Sequence, residues 1–440
     1  MVVETLLPVA AVGSTAGLAY AAKRKVYPAM PTPDEDTFVL PIKVTSADAE
    51  DINSWFVRGM RIPRRSLLTL GASGAGKSET LKHFVDQLQN EPNEPVVVYD
   101  HKTDYQEFLE ERGVDMIRLS SGGSTGGDGS EIAWNIFEEI EHEEDADELA
   151  RALFPEQNGD FWNAAGRQLF AATLKYIRRE VVGPDNADLV RYWERTVPEK
   201  MHEKLTRDGH EDLAAAASAI NPETERQAGS VFATAQQQVT DLFVGDFAKS
   251  GEFSIREYMQ NPDGRVLVLD YPTRQSGTIA PVFRYLIDQA IMHGMDDPGR
   301  SAYYLLDEIE HLDATIKRLG ELINVGRGVN CQAILSLQSI AQLEDTYGKE
   351  RAHALLSGMV TVIGLRTADE ESVDFLRETI GTSFEQYTRN AGSDRTPREN
   401  EEKEEYQFAK GDLRNFDPGE AVICRQGSGW VHGQIQLLEE

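Results

Sequence analysis

The feature that most constrains this chain is an octapeptide, Gly71-Ala72-Ser73-Gly74-Ala75-Gly76-Lys77-Ser78. It lies between an apolar run (Leu67, Leu68, Thr69, Leu70) and a helix-compatible stretch (Glu79, Thr80, Leu81, Lys82, His83, Phe84). It matches G-x-x-x-x-G-K-[ST], the phosphate loop, in the strand–turn–helix context that the motif requires. Its glycines let backbone N–H groups close around phosphate oxygens, and a helix start adds positive dipole there. The expected nucleotide contacts are therefore Gly71, Ala72, Ser73, Gly74, Ala75, Gly76, Lys77, Ser78 and Glu79. Lys77 would reach the β- and γ-phosphates of ATP, and Ser78 would ligate Mg²⁺.

Short apolar runs of strand character recur at Leu67–Leu70, Val96–Tyr99, Val266–Leu269, Tyr303–Leu306, Ala333–Leu337 and Val360–Leu365, with helix-like segments between most of them. Such a pattern predicts an α/β fold with a parallel-rich central sheet covered on both faces. One region breaks the alternation. Phe161, Ala165, Leu169, Ala172 and Tyr176 fall at helical spacing, as do Phe232, Ala235, Val239 and Leu242. This predicts an all-α domain over 161–247, inserted in a nucleotide-binding core made of 56–160 and 248–440. Ser120–Ser130 reads as a flexible loop, and Ala391–Glu405, polar and highly charged, as a mobile segment.

A phosphate loop alone does not imply hydrolysis. The second half of a site is offered by Tyr303-Tyr304-Leu305-Leu306-Asp307-Glu308, an apolar strand ending in two acids, which is the Walker B pattern. Asp307 would hold the Mg²⁺ shell beside Ser78, and Glu308 would orient and polarise an attacking water. The separation of Lys77 from Asp307 is too long for a small GTPase or a compact kinase, and the helical insertion accounts for it. His101-Lys102-Thr103-Asp104 looks like a guanine-reading motif but comes too early and lacks the Asn. Leu119-Ser120-Ser121-Gly122-Gly123 looks like a transporter signature but lies far ahead of the acids it should adjoin. Both are set aside. Gln338, at the end of the next apolar run, is a candidate γ-phosphate sensor, the alternative being a capped strand. Arg327 is a candidate arginine finger into a neighbouring subunit, the alternative being a surface salt bridge.

The charge balance bears on partners. Forty-four Lys plus Arg stand against 74 Asp plus Glu, a net charge of -30, with Arg outnumbering Lys. Acids spread along the whole chain suggest a halophilic, haloarchaeal source. They argue against a general nucleic-acid coat, though not against a local channel. The two cysteines, Cys331 and Cys424, have neither metal-ligand spacing nor a disulfide framework. At the N-terminus, Thr5–Ala22 carries no charge and is followed by Lys23, Arg24 and Lys25. Such a run is long enough to span a bilayer core, and the basic cluster would leave the remainder cytoplasmic. The expectation is an N-terminal transmembrane helix within 1–30, the alternatives being a cleaved signal peptide or a buried or interfacial helix, with a linker over 31–55 and a single-pass protein of the cell membrane.

At Gly326–Gly348 (GRGVNCQAILSLQSIAQLEDTYG) the chain resembles the type IV secretion coupling proteins of the TraG/TraD kind, within the FtsK–HerA class of ring translocases. Supporting segments are the phosphate loop, Val96–Asp100 leading into HKTD, Asp160-Phe161-Trp162 and LLDEIEHL. The resemblance runs from about residue 55 to 435. It implies a RecA-like P-loop NTPase fold, a homo-hexameric ring with ATP sites between subunits, and an all-α domain that helps select substrate. It also implies transport of DNA, single-stranded and bound to a relaxase, to a type IV secretion or conjugation channel at the membrane. Under it Lys77 and Ser78 are the phosphate and Mg²⁺ ligands, Asp307 and Glu308 the Walker B pair, Arg327 the trans finger and Gln338 the sensor. Related readings are a DNA motor for DNA processing or viral genome packaging, and a recruiter of protein substrates for a secretion channel. Many members of the family carry two membrane helices with an external domain between them; here one apolar segment is seen.

Overall fold

The computed structural model describes residues 36–48, 59–89, 91, 93–126, 131–154, 161–271, 276–312, 315–388 and 400–438. In chain order its strands are β1 (Thr37–Leu40), β2 (Ile42–Asp48), β3 (Met60–Pro63), β4 (Leu67–Leu70), β5 (Val96–Asp100), β6 (Met116–Leu119), β7 (Val266–Asp270), β8 (Ala302–Leu306), β9 (Cys331–Leu337), β10 (Thr361–Gly364), β11 (Thr382–Thr388), β12 (Asn400–Tyr406), β13 (Glu420–Arg425) and β14 (Gly429–Ile435). A 10-stranded sheet runs in the order β2-β14-β13-β10-β4-β9-β8-β5-β7-β6, while β1-β3 and β11-β12 form two-stranded ribbons. From β10 to β6 every neighbouring pair is parallel. On the other side β13, β14 and β2 extend the sheet antiparallel.

Every residue of β4, β5, β7, β8, β9 and β10 is buried, which is why these strands read as continuous apolar runs. Alternate side chains enter opposite cores, because successive residues of a strand face opposite ways. Leu68, Leu70, Val97, Tyr99, Leu267, Leu269, Leu335 and Leu337 pack on the face that carries the helical insertion. Leu67, Val96, Val98, Val266, Val268, Leu305 and Ile334 pack on the other face. There they meet α1 (Lys77–Leu88), through Leu81, Phe84, Val85 and Leu88, and α2 (Asp104–Glu111), through Tyr105, Phe108 and Leu109. β6 breaks the apolar pattern at Arg118, whose Nε donates to Asp270 Oδ2 at 2.9 Å on the paired strand.

Between β6 and β7 the described residues contain helices and no strand. Helix 161–180 packs against helix 225–242 so closely that a Cβ on Gly166 would lie 3.3 Å from the Ala235 Cβ. Phe154, just after helix 143–153, stacks on Phe170 at 4.6 Å. The insertion is tied to its roots by Asn186, fully buried. Its side-chain Nδ2 donates to Trp134 O and Phe247 O, and its Oδ1 accepts from Ile136 N–H.

Several expectations change. Among the described residues no helix is long and apolar enough to cross a membrane. This overturns the transmembrane helix in the expected fold class and the single-pass membrane location drawn from it. The longest helices, 161–180 and 276–295, are interrupted by Arg167, Lys175 and Arg178 in one and by Pro281, Arg284 and Asp288 in the other. The segment that prompted the expectation, Thr5–Ala22, lies outside the described residues. The interval 31–55, read as linker, holds β1 and β2. Within the loop read as flexible, Ser120, Ser121 and Ser124 are buried, and the Asp246 carboxylate accepts from Ser124 N–H. Of Ala391–Glu405, residues 400–405 lie in β12 and the rest lie outside the described residues.

Candidate active site

The phosphate loop leaves β4 at the C-terminal edge of the sheet and enters α1. Gly71 N–H donates to Leu337 O at 3.1 Å, so the loop starts beside the end of β9. A Cβ on Gly71 would lie 2.8 Å from the Leu365 Cβ, which leaves no room for a larger residue. Gly76 has φ 104, a left-handed conformation that glycine adopts without strain, and it serves as the N-cap of α1. Ala75 turns into the core, whereas Ser73, Gly74 and Glu79 are exposed and Ala72, Gly76 and Ser78 half-buried. Gly74, Gly76, Lys77, Ser78, Glu79, Lys102 and Glu308 line one cleft of ≈ 520 Å³.

β9 separates β4 from β8, yet the acids at the end of β8 reach across it. Ser78 Oγ donates to Asp307 Oδ2 at 3.4 Å, and Tyr105 OH donates to the same oxygen at 3.1 Å. Lys77 Nζ donates to Gly71 O at 2.9 Å and lies 3.3 Å from Glu308 Oε1. Lys102 Nζ donates to that same Glu308 oxygen at 2.6 Å. The other carboxylate oxygen faces His311 Nε2 at 3.6 Å, and His311 stacks on His101 at 4.5 Å. Glu308 has φ 49, a left-handed conformation unusual for a residue with a side chain. Its N–H nevertheless donates to Ser336 O at 3.1 Å on β9, so the turn is fixed by a ladder-like bond.

Burial pushes the Asp307 carboxyl above the ordinary aspartate range, and the adjacent Glu308 charge adds to this. Burial also pushes Glu308 upward, but the Lys102 hydrogen bond and the charges of Lys77 and Lys102 outweigh it and hold the carboxyl below its usual value. Glu308 is thus a charged, buried acceptor that can take a hydrogen bond from a water. Asp100 is pushed up to about 6 by burial, although Tyr105 N–H and Lys102 N–H both donate to it. Glu310 is pushed up to about 7 by burial, and one of its oxygens accepts from Gln338 N–H at 2.6 Å. The residues fit the groups expected of them. Ser78 and Asp307 offer the paired hard oxygens that Mg²⁺ takes, and the α1 N-terminus with Lys77 offers donors to phosphate.

Gln338 directly follows β9, between the loop and the acids, and is half-buried. Arg327 is not brought to this site. It is exposed in a 3-10 turn, Gly326–Val329, before the first residue of β9 and so at the far edge of the sheet. Sequence reasoning missed two contributors. In the sequence Lys102 stands only within HKTD, a guanine-reading look-alike and a segment that supports the family resemblance, with no site role attached; its position just past a core strand is the available signal. The C-terminal segment falls within the nucleotide-binding core expected over 248–440, but none of its residues is among the expected site residues. Pro418, Gly419, Gln434, Ile435, Gln436 and Leu437 wall the cleft, with Gly419 N–H donating to Ala75 O at 2.9 Å. Nothing in the local pattern of that hairpin signals its place in the site.

The fold and site define a RecA-like P-loop NTPase fold with a helical insertion. Residues 60–406 match the family described as the Type IV secretion-system coupling protein DNA-binding domain, and the chain belongs to that family. It is 24% identical over 340 residues to the coupling protein TraD of Escherichia coli (strain K12), covering 73% of this chain and 45% of TraD. The chain thus spans less than half the length of that curated relative. Among solved structures, the bacterial conjugative coupling protein TrwBdeltaN70 in its unbound monoclinic form superposes with a TM-score of 0.69 at 20% identity, covering 86% of this chain and 87% of that one. The plasmid coupling protein TrwB in complex with ADP and Mg2+ gives 0.68 at 19% identity, covering 92% and 94%. VirB4 of Thermoanaerobacter pseudethanolicus gives 0.50 at 14% identity, covering 93% and 98%. These matches lend no support to the haloarchaeal source suggested by composition.

Proposed function

We propose that the chain is an ATP-driven DNA translocase that couples DNA to a secretion channel in conjugative transfer. The observation that carries this reading is the meeting of Lys77 and Ser78 with Asp307 and Glu308 at one cleft, in a chain of the coupling-protein family. Lys77 and the loop N–H groups bind the phosphates of ATP, and Ser78 and Asp307 hold Mg²⁺. The metal, when bound, neutralises charge on the β- and γ-phosphates. Glu308 orients and polarises the water that attacks the γ-phosphate, and Gln338 hydrogen-bonds that phosphate from its place beside the loop. Arg327 acts on a neighbouring subunit of a homo-hexameric ring. That TrwB has been obtained with ADP and Mg2+, and with an ATP analogue, supports the choice of ligands.

In this reading 56–160 and 248–440 form the motor and 161–247 the all-α domain that engages substrate, which is single-stranded DNA carried by a relaxase. With a net charge of -30, and a Debye length of about 3 Å if the medium is molar salt, ring enclosure holds DNA better than surface affinity does. The test is ATP turnover by the purified chain with no DNA, single-stranded DNA and double-stranded DNA, alongside a mass measurement of the assembly. Strong stimulation by single-stranded DNA in a ring is expected. Turnover indifferent to either DNA would sink the motor reading.

A further inference from the structure

We infer that the turn following β5, residues 100–105, is the positioning element of the acid pair, and that Lys102 is the residue that aims Glu308 at the attacking water. The inference rests on the ATP-hydrolysing reading of this site and adds to it a residue that neither loop nor acid motif contains.

Four contacts make the case. The Asp100 carboxylate accepts Lys102 N–H at 3.1 Å through one oxygen and Tyr105 N–H at 3.0 Å through the other, which fixes the turn. From that turn Lys102 Nζ donates to Glu308 Oε1 at 2.6 Å, while Tyr105 OH donates to Asp307 Oδ2 at 3.1 Å. One rigid segment therefore holds both acids, one by each of two side chains. It can do so because β5 pairs directly with β8, with Tyr99 opposite Leu306 at the ends of the two strands.

A pair between two exposed side chains would be worth little. Here the Glu308 side chain is 2% exposed and the Lys102 side chain 43%, so a solvent-reaching lysine extends inward to a buried carboxylate. Lys77 shares the same oxygen at 3.3 Å, but the phosphate loop that carries it gives its ammonium a second task, the phosphates. Lys102 lines the same cleft but comes from the turn after β5, off the phosphate loop. At φ 49 the Glu308 backbone is in a sparsely populated conformation, of the kind that persists where surrounding contacts hold it. Misplacing a reacting group by about 1 Å costs on the order of a hundredfold in rate.

The experiment is steady-state ATP turnover and nucleotide binding by the full chain as wild type, Lys102→Gln, Lys102→Arg, Glu308→Gln and the double variant Lys102→Gln/Glu308→Gln. Lys102→Gln is expected to lower kcat at least about tenfold with the nucleotide Kd unchanged within about twofold, and Lys102→Arg to recover most of the rate. Adding Lys102→Gln to Glu308→Gln should change the residual rate by less than about twofold, since the residue acts through Glu308. A Kd that rises in step with the fall in kcat would make Lys102 a phosphate ligand and overturn the positioning role. Full additivity in the double variant overturns it too. If DNA fails to stimulate turnover while these results hold, the motor reading fails and the positioning role stands. A wild-type chain that hydrolyses no nucleotide overturns both.

Discussion

Ser78 and Asp307 lie 229 positions apart in the chain, and the Ser78 hydroxyl donates to Asp307 Oδ2 at 3.4 Å. The contact spans β9, which lies between the strands that carry the two residues. It exists because parallel strands place all their C-terminal ends at one edge, so loops that leave β4 and β8 meet there whatever is inserted between them in sequence. An insertion of helices between β6 and β7 lengthens the chain without moving either residue.

Glu308→Gln should retain nucleotide binding and lose turnover. The amide keeps the shape of the side chain and can still accept from Lys102, but it carries no charge with which to polarise water. General-base losses run to about 10²–10⁴ in rate. Parallel measurement of ATP hydrolysis and of equilibrium nucleotide binding checks this, and normal hydrolysis by the variant would refute the assignment of the base.

Lys77→Ala should lose binding itself. A hydrogen bond to a charged group contributes about 1.5–3 kcal/mol, so nucleotide affinity should fall by about tenfold to a hundredfold. The loss also removes a charge 3.3 Å from Glu308 and leaves Lys102 as its remaining ammonium partner in the cleft. Titration with a fluorescent ATP analogue reads the effect, and unchanged affinity would remove Lys77 from the phosphate site.

The parallel half of the sheet was legible because full burial on both faces leaves unbroken apolar runs such as Val96–Tyr99 and Tyr303–Leu306. The phosphate loop and the acids were legible because their chemistry needs particular residues at particular offsets. β6 was hidden by Arg118, a charge inside a strand that is understood only once Asp270 is placed beside it. β13 buries only four residues in a row, Ala421–Cys424, and β14 mixes buried and part-exposed residues, a weaker signal, and their place against the loop depends on the long-range bond from Gly419 to Ala75. Lys102 was hidden for a related reason. A lysine after a strand looks like a solvated residue until the carboxylate at the end of the neighbouring strand is known.

Arg327→Ala should bind nucleotide normally and fail to hydrolyse it. The residue precedes β9, and the seven residues of that strand advance about 20 Å before reaching the edge where Gln338 and the loop meet. It cannot serve its own cleft, so any part it has in hydrolysis is played on a neighbour. Mixing Arg327→Ala with Lys77→Ala subunits should then restore activity, since about a quarter of randomly formed interfaces pair an intact loop with an intact arginine. A mixture no more active than its two parents argues against a finger in trans.

Glu139 offers a stability test away from the chemistry. Its Oε1 accepts from Trp134 Nε1 at 3.0 Å and from Ile255 N–H at 2.7 Å, fastening the root of the insertion to helix 255–260. Burial pushes its carboxyl up to about 7 from the ordinary 4.5. The folded state therefore binds more protons than the unfolded state between those values, and its stability falls as pH rises through that window. At pH 8 the full penalty applies, on the order of 3 kcal/mol at one unit per 1.36 kcal/mol. Glu139→Gln keeps an acceptor for both donors and never ionises. Its melting temperature should match that of the wild type near pH 4.5 and exceed it at pH 8, by several degrees in calorimetry. An equal difference at both pH values would show that Glu139 ionises in the folded state as freely as in the unfolded one.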